Sequence, residues 1–454
     1  MLVAAGRRAA ATIPMLVSKI LIISRDQVRT RMAAPGIRVV EMSRELAAAG
    51  HEVTLCLPNH PELAIDGVEQ VVHDDALVTR LAASSDVVIL GGAGHHLMPI
   101  PELTRRVPTV VDLSFPLALE VLAVQGKARS VWPPAVPIEQ ITARLKQYLL
   151  AADYLLCASP QQRQFYLGCL LMVGRMKEVV VAEDPTLRNL LGVVPFGCPV
   201  SPPHRTGSGP RDRFREIGSG DYVLLWSGSM GDWYDPETVV SAVALAAQDI
   251  PELRLVFMGA RPDDAHLPET TTSANVRALA GELGLLNRNV FFEDAWVPYE
   301  ERANWLLDAD VAVMASLPTL ESELAVRTRF LDYVWSATPV ICTEGGTYGE
   351  LIAESDLGVT VPARDASAMA EGIVKLSDPD VRGAARRRME LVRPNFTWPT
   401  VLSALVQFCS HPTLSSDGEG LSRSDRGTLQ RSLERASEVF GRYRNRQKRP
   451  SRRA

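Results

Sequence analysis

YVLLWSG (222–228), LRLVFMG (253–259), NVFFEDAW (289–296), ADVAVMA (309–315), TPVICTEGG (338–346) and GVTVP (358–362) recur down the second half of the chain, separated by helical stretches. Runs this continuously apolar and β-branched read as strands buried on both faces, as in a parallel sheet held between layers of helices. The first half carries a similar series: KILIIS (19–24), EVTLCL (52–57), DVVIL (86–90), TVVDL (109–113), DYLLCA (153–158) and GVVPF (192–196). Two doubly wound, Rossmann-like α/β domains are therefore expected, the first over 15–200 and the second over 221–395. Between them SPPHRTGSGPRDRFREIGSG (201–220) is rich in Pro, Gly, Ser and charge and has no hydrophobic period, as expected of an exposed linker. FTWPTVLSALVQFC (396–409) has helical apolar spacing. Beyond it, 411–454 reads as a polar linker, a short amphipathic helix with Leu429, Leu433, Ala436, Val439 and Phe440 on one face, and a basic tail.

A chain of 454 residues exceeds what one packed core usually holds, in keeping with two domains. With 46% hydrophobic and 22% charged residues it is neither wholly disordered, collagenous nor a disulfide-stapled miniature. The formal charge of −5 argues against a nucleic-acid-binding body, although residues 442–454 carry seven basic side chains and no acid. Six scattered cysteines without a CxxC pair fit a reducing cytoplasm. Arginines interrupt the apolar start MLVAAGRRAAATIPMLVSK, so it does not read as a signal peptide, and Met15 is a plausible initiator because residues 1–14 carry no element or motif. No apolar run approaches the roughly 20 residues needed to span a bilayer, and any membrane association is expected to be peripheral, at the inner face.

In RMAAPGIRVVEMSRELAAAGHEVTLCLP (31–58) a Pro-Gly pair opens an amphipathic helix directly after a strand. Gly36 there would let backbone approach an anion at the helix N-terminus, the alternative being a tight turn and nothing more. No GxGxxG occurs, which leaves a dinucleotide-dependent oxidoreductase little support. The pattern IR..E.S.EL...GHEVTL resembles the start of the family 4 glycosyltransferases of GT-B architecture. The resemblance is strongest in the second domain, in LLWSGSMGDWYDPETVVSA (224–242), VFFEDAWVPYEERANWLLDADVAVM (290–314) and ESELAVRTRFLDYVWSATPVICTEGG (321–346), and continues in VVDLSFPLALE (110–120) and SPQQRQFYLG (159–168). It implies a GT-B fold with a cleft between the domains, a returning helix (396–410) on the first domain, and transfer of a sugar from a nucleotide-sugar donor to a hydroxyl acceptor. Retention of anomeric configuration and a role in cell-surface polysaccharide or glycolipid synthesis are further implications.

Breaking the anomeric C–O bond leaves a nucleoside diphosphate, so such a site needs cations and backbone donors aimed at two phosphates. Arg327 and Arg329 offer guanidinium forks, and Ser227, Gly228 and Ser229 form a strand-end turn where N–H groups converge. Without the resemblance the two arginines read as solvent-facing ion-pair partners; with it Arg327 becomes the foremost diphosphate contact. The resemblance further assigns a ribose-binding acid to Asp332. Where the family has its sugar-contacting acid, eight residues earlier, stands Leu324, with Glu321 and Glu323 displaced towards the N-terminus, and the role is carried to Glu321. Asp112 ends strand TVVDL, where an acid could orient the acceptor hydroxyl or take its proton, or else pair with an arginine. Trp296 follows strand NVFFEDA at the position expected for stacking on a nucleotide base, and His95 and His96 lie in a Gly-rich loop with no role readable.

Asp308-Ala309-Asp310 resembles a metal-binding DxD but opens a buried strand, and no HExxH, EF-hand or Cys/His cluster occurs. Neither a metal nor a cofactor is expected, the nucleotide-sugar being a substrate. The expected partners are that donor, a hydroxyl acceptor that is lipid-linked in much of the family, and an anionic membrane surface reached by the basic tail. A non-catalytic GT-B binding or assembly module is the rival reading, supported by the displaced acid pair and by Gly346, where the subgroup often has an acid. A sugar-nucleotide epimerase of the same architecture has no support beyond the fold.

Overall fold

The computed structural model describes residues 16–92, 107–123, 137–260 and 270–415. Among the described residues thirteen strands form two sheets, parallel throughout. The first contains β1 (Lys19–Ser24), β2 (Glu52–Leu57), β3 (Val68–Val72), β4 (Val87–Gly91), β5 (Thr109–Asp112), β6 (Tyr154–Cys157) and β7 (Leu191–Val193), in the order β3-β2-β1-β4-β5-β6-β7. The second contains β8 (Tyr222–Ser227), β9 (Leu253–Met258), β10 (Val290–Glu293), β11 (Val311–Met314), β12 (Val340–Thr343) and β13 (Gly358–Val361), in the order β10-β9-β8-β11-β12-β13. Ile20, Leu21, Ile22 and Ile23 are all sealed, so both faces of β1 are buried as its unbroken apolar run demands. Only β3 escapes the apolar reading: VEQVV is a half-exposed edge strand, and its two polar residues break the run.

Strand order reverses between β1 and β4 and again between β8 and β11, which opens a crevice at the carboxyl ends of each sheet. Two connections join the domains, and they run side by side. The Cys198 N–H donates to the Phe396 carbonyl (2.7 Å) and the Trp398 N–H to the Cys198 carbonyl (3.0 Å). Gly197 is required there, because a Cβ would lie 2.7 Å from the Trp398 ring. The helix Trp398–Ser410 then packs on Ala34–Ala48 of the first domain.

Residues 201–220 are mostly exposed, as their composition suggests, but they are not a free tether. Gly209 and Pro210 are buried, and the stretch is bonded to the second domain. Asn304 Oδ1 accepts from the Thr206 and Gly207 N–H groups (2.7 and 2.9 Å), and Asp308 Oδ2 accepts from the Arg211 N–H (2.8 Å). Asp310 Oδ2 receives both Arg211 Nη2 and the Val223 N–H at 2.9 Å. The DxD-like pair is thus a clamp on the linker. Among the described residues no cluster of three or more His, Cys, Asp or Glu side chains is placed to hold a metal, and no helix is long and apolar enough to cross a membrane.

His51 ties the returning helix to β1. Its Nδ1 accepts the Ser18 N–H (3.2 Å), and its Nε2 lies 3.4 Å from the Ser410 hydroxyl. An accepting Nδ1 requires the neutral ring, and burial holds the His51 pKa below its ordinary value. The unfolded chain therefore binds this proton more readily. The stability that depends on neutral His51 is present above the unfolded value near 6.5 and is lost as pH falls through it. The melting temperature is expected to drop between pH 7 and 5.5, with a shallower drop in His51→Gln. Equal slopes in differential scanning calorimetry would remove His51 as the cause.

Candidate functional site

The cleft-facing end of the second sheet is organised by the turn after β8. Gly228 adopts φ +85°, a conformation that favours glycine, and turns the chain so that the Ser229 carbonyl receives Arg329 Nη2 at 2.7 Å. Ser227 is buried, and its N–H and hydroxyl both donate to the Tyr333 hydroxyl, at 3.2 and 3.0 Å. Arg329 is 8% exposed, with its guanidinium over the rings of Trp226 (4.8 Å) and Tyr234 (4.2 Å). Its Nη1 is buried with no partner among the described residues. A planar cation held against aromatic rings beside a glycine turn, with a donor uncommitted, is chemically suited to an anionic oxygen.

Arg327 is differently employed. Nη1 and Nη2 meet the two Glu321 oxygens at 2.8 and 2.7 Å, Nη2 also reaches the Ser322 hydroxyl (3.0 Å), and Nε reaches that of Ser316 (3.3 Å). Burial opposes the charge on Arg327, but Tyr234 and Glu321 outweigh it and hold its pKa above the ordinary value. The expected order of the two arginines is thereby exchanged: Arg327 spends its fork on Glu321, and Arg329 keeps a free donor. For the same reason Glu321, with both oxygens taken and its side chain 1% exposed, does not reach out to a sugar.

Asp332 lies one turn after Arg329 on the helix Arg329–Trp335, which sets a cation and a carboxylate side by side. Its Oδ1 accepts from Arg302 Nε (2.9 Å), and its side chain remains 29% exposed. Trp296, half-buried, stands over Gly259 at the end of β9, where a Cβ would be 3.8 Å from its ring. After β12, Gly345 and Gly346 have φ of +80° and +62°, and a Cβ on Gly346 would come within 2.9 Å of the Ser322 carbonyl. Glycine at 346 is thus dictated by this close approach.

In the first domain Asp112 ends β5 and is fully buried with Arg38. The Arg38 Nε lies 2.6 Å from Oδ2, while Oδ1 receives Arg38 Nη2 (3.3 Å) and the Ser114 N–H (3.1 Å) and hydroxyl (2.5 Å). Arg38 also donates to the carbonyls of Val194 and Pro195 and lies over Phe196. Both Asp112 oxygens are occupied and shielded, which is the arginine-paired alternative and leaves no free base at this strand end. Gly36 sits in the first turn of its helix, where a Cβ would be 2.9 Å from the Gln27 carbonyl, so it allows the preceding loop to fold back on the helix. His95 and His96 lie outside the described residues.

The two domains meet through Gln162, whose side-chain amide donates to the carbonyls of Ser114 (3.0 Å) in the first and Leu324 (2.9 Å) in the second. Gln161 reaches Glu350 (3.0 Å) and accepts from the Thr347 hydroxyl (3.3 Å). Sequence reasoning missed Arg38, Arg302 and Gln162. A lone arginine inside the apolar run GIRVV was a readable signal for the first; the other two offer none without their partners.

Two parallel, doubly wound domains facing each other across their strand ends define a GT-B protein. Residues 221–378, the body of the second domain, match the model of the family described as glycosyl transferases group 1. No curated protein sequence matches the chain. Among solved structures, Anabaena HepE with UDP and glucose aligns at a TM-score of 0.62 and 13% identity, over 86% of this chain and 99% of that one. Sucrose-phosphate synthase from Thermosynechococcus elongatus aligns at 0.58 and 17% identity, over 86% and 98%. WaaG, a glycosyltransferase involved in lipopolysaccharide biosynthesis, aligns at 0.56 and 12%, over 86% and 100%. At these identities the likeness is one of fold.

Proposed function

We propose that the protein is a glycosyltransferase that moves a sugar, of the hexosyl type, from a nucleoside-diphosphate-sugar to an acceptor hydroxyl. The observation that carries this reading is Arg329, whose uncommitted buried nitrogen lies at the β8 turn one helical turn from the half-exposed Asp332. Arg329 takes the diphosphate, Asp332 the ribose and Trp296 the base; the Ser227 and Gly228 N–H groups, expected to converge on the phosphates, are instead spent on the Tyr333 hydroxyl and the Met258 carbonyl. The anomeric C–O bond breaks with its electron pair going to the diphosphate, and the acceptor oxygen forms the new bond as it loses its proton. Retention would put the entering and leaving oxygens on one face of the sugar, where the departing phosphate oxygen can take that proton. With Asp112 held by Arg38, this route asks for no carboxylate base from the first domain.

The family of the second domain and the HepE complex with UDP and glucose support a nucleotide-sugar donor. The likeness to WaaG supports, by analogy only, a role in surface polysaccharide or glycolipid synthesis. A cytoplasmic enzyme held at an anionic membrane face by residues 442–454 would suit a lipid-linked acceptor; these residues lie outside the described part of the chain. The test is calorimetry with nucleoside diphosphates, preceded by a thermal-shift screen of their sugar conjugates. One diphosphate is expected to bind, and Asp332→Asn to weaken it at least tenfold while the melting temperature stays within a few degrees. Unchanged affinity would remove the ribose role of Asp332, and release of no diphosphate from any sugar conjugate would favour the non-catalytic module.

A further inference from the structure

Arg302 opens the helix Arg302–Asp308 and is 5% exposed. The centre of its guanidinium lies 3.5 Å from the centroid of the Tyr299 ring and 4.4 Å from that of Trp335. Nη1 donates to the Tyr299 carbonyl (2.6 Å), and Trp335 is fixed in turn by its Nε1 donating to the Ser201 carbonyl (2.7 Å). Stacked and bonded in this way, the guanidinium plane has no freedom to turn.

Its contact with Asp332 is one-pronged. A guanidinium edge ordinarily offers Nε and Nη2 together to the two oxygens of a carboxylate. Here Nε holds Oδ1 at 2.9 Å, while Nη2 is buried with no partner among the described residues. An unmade buried hydrogen bond is costly, and a small rotation of the carboxylate towards the fork would relieve it. The carboxylate instead leaves Oδ2 without a hydrogen bond from any described residue, on a side chain that is 29% exposed. From this geometry, and resting on the nucleotide reading above, we infer that Arg302 is a positioning residue: it holds Asp332 by one oxygen so that the other is presented, correctly aimed, to a ribose hydroxyl.

The consequence is selectivity for ribose, which a merely structural Arg302 would not control. Calorimetry on the full chain would compare UDP, ADP and GDP with their 2′-deoxy and 3′-deoxy counterparts, in wild type, Asp332→Asn, Arg302→Met and Arg302→Lys. In wild type the ribonucleotide is expected to bind at least tenfold more tightly than one of its deoxy forms, and in Asp332→Asn that preference is lost. Arg302→Met is expected to lose it as well, with the affinity for the deoxy form within threefold of wild type, and Arg302→Lys to keep part of it. Should Arg302→Met fail to fold, Arg302→Lys decides alone, since a lysine cannot reproduce the stacked fork and its preference should fall severalfold. A full preference in the folded Arg302 variants, or equal weakening of ribo and deoxy forms, would overturn the inference while leaving Asp332 in place. A preference that persists in Asp332→Asn, or no binding of any probe to wild type, would instead overturn the nucleotide reading beneath it.

Discussion

Arg329→Ala is expected to lower sugar transfer a hundredfold or more, on the order of 3 kcal/mol, because charge accumulates on the departing diphosphate and this is the cation with a donor to spare. The fold should tolerate the change. The hydrogen bond lost is one to the carbonyl of Ser229, an exposed residue to which water has access, and Trp226 and Tyr234 remain packed on each other edge to face. Arg329→Lys should recover little, because an ammonium cannot stack between the two rings and still reach both the turn and a phosphate. Steady-state turnover of a sugar nucleotide, or affinity for its diphosphate, measures the effect. Turnover within a few-fold of wild type would take Arg329 out of the site.

Asp112→Ala should act on stability instead. Arg38 and Asp112 are both fully buried, so deleting the carboxylate strands a guanidinium with only carbonyl partners, at a cost of about 3–5 kcal/mol. Replacing both, as Arg38→Met with Asp112→Leu, should recover most of that loss, since two buried charges are exchanged for apolar contacts. Urea unfolding reads both variants. A loss below about 1 kcal/mol in the single variant would mean that water reaches Arg38, and Asp112 would then regain its claim as an acceptor-side base.

The fold was legible because burial on two faces leaves a one-dimensional trace: every strand but the edge strand Val68–Val72 coincides with an apolar run. The site was legible to the level of a segment. RTRFLDY falls on the helix of the candidate site, but which arginine is spent and which is free depends on Glu321 and Ser229, the second of them a hundred residues away in the chain. Arg302 illustrates the same limit. It reads as a surface charge in YEERANW, and its partners Asp332 and Trp335 stand on another helix. At 201–220 Pro, Gly and charge suggest the solvated connection that most of the stretch is, but not its attachment to the second domain. Arg211 Nη2 and the N–H groups of Thr206, Gly207 and Arg211 bond to Asp310, Asn304 and Asp308, which no local pattern connects to them.

That anchored linker alters how the two halves of the molecule can move. A free tether of some twenty residues would have an end-to-end distance of roughly 25 Å and would let two bodies tumble almost independently, so bringing them face to face would cost loop-closure entropy at each catalytic cycle. Here the middle of the linker is held on the second domain, and Cys198 lies bonded against the returning chain at Phe396 and Trp398, which shortens the free tether. Gly197, pressed against the Trp398 ring, lets the two crossings lie this close together. The entropy of bringing the halves together is thus spent once, when the protein folds, and the energy of substrate binding is left for the reacting bonds.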